Sequence, residues 1–221
     1  MDPITENTRR IMAGLPPAVQ LLVAGKGRTL QQLLAAVEGG ARIIGENYVQ
    51  EAERAIAAIG REVNWHLIGH LQKNKVKRAV ELFDMIETVD SVELAREIDR
   101  RCAMLDKVMP VLIEVNSARE PNKSGVMPEA AANLARTIPA MPHLKLMGLM
   151  TMGPVSGEPA ACSSAFALTK ALFDQIAALR LTGVDMKYLS MGMTDSYREA
   201  LAAGANIVRI GRGIFGPVHN A

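Results

Sequence analysis

Residues 19–40 read VQLLVAGKGRTLQQLLAAVEGG. A short apolar run of β type gives way to a glycine-flanked lysine, and then the apolar residues at 30, 33, 34 and 37 fall on one helical stripe. The stretch is one strand–helix unit with Lys26 at the join. A lysine where a strand frays into a glycine turn is ordinarily a solvated surface charge. Any chemistry for it has to come from the rest of the chain.

The same unit recurs along the sequence. ARIIGENY precedes VQEAERAIAAIG, VNWHLIGH precedes QKNKVKRAVELF, and DMIETVD precedes SVELAREIDRRCAML, where Ser91 is placed to cap the helix. MPVLIEVNS, HLKLMGLMTM and MKYLSMGMT each precede a further helical stretch, and NIVRIGRGIFG supplies an eighth strand. Parallel strands need crossover connections of one hand, so eight such units in one domain predict an α/β fold with a closed (β/α)₈ barrel. An open doubly wound sheet is the alternative. No linker or composition shift divides the chain, PVSGEPA at 154–160 being its most loop-like stretch, and residues 1–221 are expected to form a single domain.

Composition narrows the function classes. With 49% hydrophobic residues the chain has ample material for a core, and 25 basic against 23 acidic residues give no field that would favour nucleic acid or an anionic membrane. The basic run QKNKVKR at 72–78 reads as the solvated face of a helix. No apolar run is long enough to span a bilayer. Cys102 and Cys162 lack metal-ligand spacing and MDPITENTRR lacks the pattern of a signal peptide, so a cytoplasmic protein with reduced thiols is expected. His66 and His70 lie on a strand and its loop rather than on one helical face, and no metal site is expected. The 13 methionines are expected to fill gaps in the barrel.

On a barrel, function belongs to the residues that follow each strand. Here these are Lys26, residues 46–48, His66, His70, Asn116, Met150, Thr151, residues 190–194 and residues 209–212. SMGMTDS and RIGRGIFG follow the seventh and eighth strands, where barrels commonly hold a phosphate on backbone amides. Ser190, Gly192, Thr194, Gly211 and Arg212 occupy those places, although turn glycines and helix caps use the same residue types. A phosphate site facing a lysine suits an aldehyde cofactor with a phosphate handle, such as pyridoxal 5'-phosphate. Apolar neighbours and the nearby Arg209 would make the Lys26 amine easier to deprotonate, and Lys26 is the candidate for a Schiff base.

The segments LLVAGKGRT, IIGENYVQEA, WHLIGHLQKNK, VLIEVNSAREPNKSG, LMGLMTM and LSMGMTDSYREALAAGANIVRIGRGIFG, in this order, resemble the pyridoxal phosphate homeostasis proteins, the YggS and PROSC family, over nearly the whole chain. The resemblance implies the barrel of the alanine racemase amino-terminal domain (fold type III) with the cofactor bound on Lys26. It also implies Arg209 facing the pyridine nitrogen, phosphate contacts at Ser190, Gly192, Thr194 and Gly211, and Asn47 and His66 looking toward the cofactor. A permanent cation beside the ring nitrogen would make the ring a poor electron sink. The chain departs from the family pattern in Gly25 and Gly27 around the lysine, in Arg212 after RIG, and in a short amino-terminal lead.

What the resemblance implies is a cofactor carrier that buffers or delivers pyridoxal phosphate to apo-enzymes and serves amino-acid homeostasis, as a monomer or weak homodimer. Few residues follow RIGRGIFG, so a second, carboxyl-terminal β domain of the alanine racemase kind is not expected. The alternative is a racemase or lyase for small amino acids using Tyr48 or His66 as a second acid/base. A sugar-phosphate barrel enzyme with Lys26 as an aldolase-type amine is a third reading.

Overall fold

Thr29 both closes the lysine turn and starts the next helix. Its hydroxyl accepts from Gln32 N while the Gln32 side chain accepts from Thr29 N, a reciprocal cap. Such local signals recur around the molecule. Ser91 caps its helix by accepting from Leu94 N at 3.2 Å, as predicted.

The computed structural model describes residues 2–217. The strands are β1 (Gln20–Ala24), β2 (Ile43–Glu46), β3 (Asn64–Leu67), β4 (Met85–Val89), β5 (Met109–Glu114), β6 (Leu144–Met150), β7 (Val184–Ser190) and β8 (Ile207–Ile210). They pair in parallel in chain order, and β8 pairs back onto β1 with Leu22 opposite Arg209, closing the barrel. The open-sheet alternative is thereby excluded.

The helices are α1 (Pro3–Ala13), α2 (Leu30–Glu38), α3 (Val49–Ile59), α4 (Val76–Leu82), α5 (Val92–Ala103), α6 (Pro128–Thr137), α7 (Pro159–Ala178), α8 (Tyr197–Ala202) and α9 (Arg212–Phe215). Two differ from the sequence reading. The amino-terminal lead is a helix: Asp2 accepts from Ile4 N at 2.7 Å, Pro3 opens the first turn, and α1 packs on α2 and α9 with the Thr5 hydroxyl donating to Ala35 O. The eighth strand ends at Ile210, and the rest of NIVRIGRGIFG winds into the single turn of α9.

Packing divides into an outer and an inner layer. Trp65, Phe83 and Phe166 are fully buried in the large cluster between sheet and helices. Inside the barrel, Leu22, Ile43 and Ile207 form one cluster and Met85, Leu112, Met147 and Met150 another. Thioethers fill part of the lumen, as their adaptable shape suits. Toward the carboxyl ends of the strands the buried residues turn polar: His66, Glu87, Glu114, Ser190 and Arg209.

Candidate functional site

Burying charge is costly unless it is paired and hydrogen-bonded, so these polar residues define the site's floor. Glu87 accepts from both sides. Its Oε1 is 2.7 Å from His66 Nδ1, and its Oε2 accepts from the Ser190 hydroxyl at 2.6 Å. Burial alone would raise the Glu87 carboxyl, but the His66 hydrogen bond, the charges of His66 and Arg209 and the Ser190 hydrogen bond outweigh it and hold it below the ordinary carboxylate range. An ionised carboxylate only accepts, so His66 Nδ1 is the donor in this hydrogen bond.

Arg209 completes the chain. Nη1 donates to Ser190 Oγ at 2.8 Å and Nη2 donates to Thr151 O at 2.8 Å, with Met152 Sδ at 3.3 Å. Ser190 therefore has its hydroxyl committed to Glu87 and Arg209. Of the residues expected at the phosphate, it is the one whose hydroxyl ties the buried arginine to the buried carboxylate. Glu114, on β5 beside the strand that carries Glu87, has its carboxyl raised to about 7 by burial and Asp90, opposed by Arg209.

Above this floor a cavity of about 740 Å³ opens at the strand ends, bordered by Lys26, Asn47, Thr194, Arg209, Gly211 and Arg212 among others. Six of the nine predicted site residues meet there. His66 and Ser190 lie beneath, and Gly192 stands behind. Gly192 has φ +86°, and its carbonyl accepts from Arg209 N at 3.0 Å. Its contribution is the left-handed turn that points residues 193–196 at the cavity.

Lys26 is exposed rather than set among apolar neighbours, its amine 5.7 Å from the centroid of the Tyr48 ring. One residue earlier the turn is closely packed. A Cβ on Gly25 would sit 2.4 Å from Glu46 Oε1 and 3.3 Å from Leu33 Cδ2, so the bare glycine makes room for a buried carboxyl beneath the turn. Burial, with Glu51 adding to it and the Asn47 amide opposing, raises Glu46 to about 8. Gly27, at φ +68°, completes the turn.

Across the cavity, the loops after β7 and β8 are pinned together by Gly213 N donating to Thr194 Oγ1 at 3.1 Å. Among the described residues, no protein acceptor takes the amide hydrogens of Thr194, Gly211 or Arg212, all of which border the cavity. Unclaimed amides at a loop concavity suit an anion. The Arg212 guanidinium pairs with Asp195, and both residues border the cavity. No group of three or more metal-ligating side chains occurs among the described residues.

The family model "Alanine racemase, N-terminal domain" matches residues 1–218. A curated relative, the pyridoxal phosphate homeostasis protein of Pasteurella multocida, is 36% identical over 202 residues, covering 90% of this chain and 86% of its own. The chain belongs to this family.

Among solved structures, PipY of Synechococcus elongatus with PLP bound superposes with a TM-score of 0.89 at 31% identity, covering 96% of this chain and all of PipY. Alanine racemase of Clostridium difficile, at 14% identity and a TM-score of 0.85, shares the fold over 98% of this chain and 57% of its own. Within the family barrel, the residues that sequence reasoning missed are Glu87 and Glu114 on the floor. Their signal was an acidic residue inside an otherwise apolar strand, as in MIETV. Met152, which packs against the inner methionine cluster as expected, borders the cavity as well, and Met193 borders it too. No helix of the described residues is long and apolar enough to cross a membrane.

Proposed function

We propose that the protein binds pyridoxal 5'-phosphate in the cavity at the barrel mouth, attached through Lys26, and holds and delivers the cofactor without robust turnover of its own. The observation that carries this reading is the exposed Lys26 amine and the unclaimed amides of Thr194, Gly211 and Arg212 on the border of one cavity. The curated relatives' name and the PLP-bound PipY structure support it. When bound, the cofactor supplies an aldehyde that condenses with an amine, losing water, and a phosphate that anchors it.

This chain's residues suit that group. Lys26 presents the amine, the three amides take the phosphate, Asn47 borders the same space, and Arg209 supplies a fixed cation at the floor. Ser190, Glu87 and His66 hold that cation in place. A guanidinium that stays charged opposes the protonation of a basic atom placed above it, which favours holding over carbanion chemistry. A racemase or lyase would need a second acid/base on the cavity. His66 is instead buried against Glu87. The reading includes delivery to apo-enzymes, a monomer or weak homodimer, one cofactor-binding domain and a cytoplasmic setting.

The test compares wild type and Lys26→Ala after incubation with pyridoxal phosphate and desalting. A visible absorbance band, fixed by borohydride and mapped to the peptide containing Lys26, is expected in wild type and not in the variant. A label on another lysine, or none, overturns the reading. Turnover of D- or L-alanine or serine that depends on Lys26 would replace the carrier with an enzyme.

A further inference from the structure

Among the described residues, four lysine or arginine side chains border the cavity: Lys26, Lys123, Arg209 and Arg212. Arg209 is buried and committed to Ser190 and the Thr151 carbonyl. Lys123 donates to Gly153 O at 2.7 Å and pairs with Glu120. Lys26 stands over Tyr48 and carries the proposed attachment. Arg212 differs from all three. Its ion-pair partner is the carboxylate of Asp195, on the opposite loop.

The two side chains are 60% and 69% exposed, so the pair is solvent-screened and weakly held. Below it, the bond from Gly213 N to Thr194 Oγ1 ties the loops together without the ion pair. The guanidinium can therefore change partner while the loops stay in place. A phosphate on the unclaimed amides offers it a more highly charged acceptor with matching bidentate geometry.

We propose that Arg212 selects phosphate-bearing ligands at this cavity and that Asp195 is its exchangeable counter-ion. A phosphate monoester seated against the amides of Thr194, Gly211 and Arg212 takes the guanidinium from Asp195, whose carboxylate turns to solvent. The inference rests on the phosphate placement in the proposed function and extends it. Asp195 lowers the affinity for the anion, both by competing for Arg212 and by like-charge repulsion, and gives the bound ligand a way to leave. That balance suits a protein that delivers what it binds.

The experiment titrates wild type, Asp195→Asn, Arg212→Gln and the double variant with inorganic phosphate by calorimetry, and with pyridoxal phosphate and unphosphorylated pyridoxal by absorbance. Asp195→Asn is expected to tighten phosphate by roughly three- to tenfold, and Arg212→Gln to weaken it by about tenfold, as for a charge-assisted bidentate contact. The affinity ratio of pyridoxal phosphate to pyridoxal should move in the same directions. In the double variant the larger part of the Asp195→Asn gain, which comes from competition for the guanidinium, should vanish and only the smaller relief of like-charge repulsion should remain. Thermal melts check that all four proteins are folded.

An unchanged phosphate affinity in Asp195→Asn, an equal gain with Arg212 already removed, or no phosphate binding by any of the four proteins overturns the inference. Failure of the attachment at Lys26 is a separate result. The calorimetric titration with phosphate alone does not involve that amine.

Discussion

Arg209 Nη1 donates to the Ser190 hydroxyl at 2.8 Å, and the same hydroxyl donates to Glu87 Oε2 at 2.6 Å. One small side chain thus relays between a buried cation and a buried anion. The cation reaches the cavity while the anion remains fully enclosed.

Removing the relay and removing the anion should differ in cost. Ser190→Ala leaves both partners short of one hydrogen bond and is expected to destabilise by about 1–3 kcal/mol. Glu87→Gln leaves Arg209 without its buried counter-charge and should cost more, roughly 3–5 kcal/mol. Urea unfolding at neutral pH ranks the two, and the opposite order would show that Glu87 does not balance Arg209.

Two buried carboxyls make stability fall toward alkaline pH. Glu46 is raised to about 8 and Glu114 to about 7, so the folded chain binds their protons more tightly than the unfolded chain does. Their contribution favours folding at low pH and is lost as pH rises from the ordinary carboxyl range through those values, with a slope of up to about 1.4 kcal/mol per unit for each group. Glu87 has the opposite sign: its carboxyl is held low, and its contribution is lost as pH falls below the ordinary range. Stability should therefore peak in mild acid, and Glu46→Gln should flatten the alkaline limb. An unchanged limb in that variant would remove Glu46 as its cause.

The notch at Gly25 makes a paired prediction. A methyl group there meets the Glu46 carboxyl at 2.4 Å, and because that carboxyl is buried it cannot simply swing into solvent. Gly25→Ala should cost about 1–3 kcal/mol by overpacking. In a Glu46→Ala background most of that penalty should disappear, and a double-mutant cycle reads the coupling. Additive effects would mean that the glycine is needed for its backbone rather than for the space.

Sequence periodicity carried the eight strands because each is short, apolar and followed by a helical stripe, and the closed barrel follows from those units. The site was legible in part. Lys26, Thr194, Gly211 and Arg212 sit on strand-end loops, where position alone assigns a residue to the mouth. Ser190 and His66 belong to strands, and whether a strand residue faces the cavity or the layer beneath depends on contacts from other strands. Ser190 reads as a phosphate ligand in SMGMTDS and becomes a buried relay only because β4 brings Glu87 against it. The need for a bare glycine at Gly25 was likewise hidden, since it depends on Glu46, from the next strand, filling the space under the turn. Helix α1 had its Asp-Pro start signal in plain view, and only its packing on α2 and α9 explains why so short a lead is ordered.

Gly192 and Gly204 separate backbone strain from its effect on the cavity. Both have positive φ, +86° and +92°, so an alanine at either is strained and should cost on the order of 1–2 kcal/mol. Their surroundings differ. A Cβ on Gly204 would meet first the flexible side chain of Lys170, at 3.4 Å, whereas one on Gly192 would fall 2.6 Å from Ala200 Cβ and 2.8 Å from Tyr197 Cα. The second clash is with the first turns of α8, so relieving it must shift the loop that carries Thr194, and with it both the unclaimed amide and the hydroxyl that holds Gly213. Gly192→Ala should therefore weaken phosphate binding by about tenfold or more, corresponding to at least about 1.4 kcal/mol. Gly204→Ala should lose stability while keeping its affinity. Calorimetry with inorganic phosphate beside thermal melts decides the matter. Equal affinity in the two variants would mean that the loop after β7 does not hold the anion.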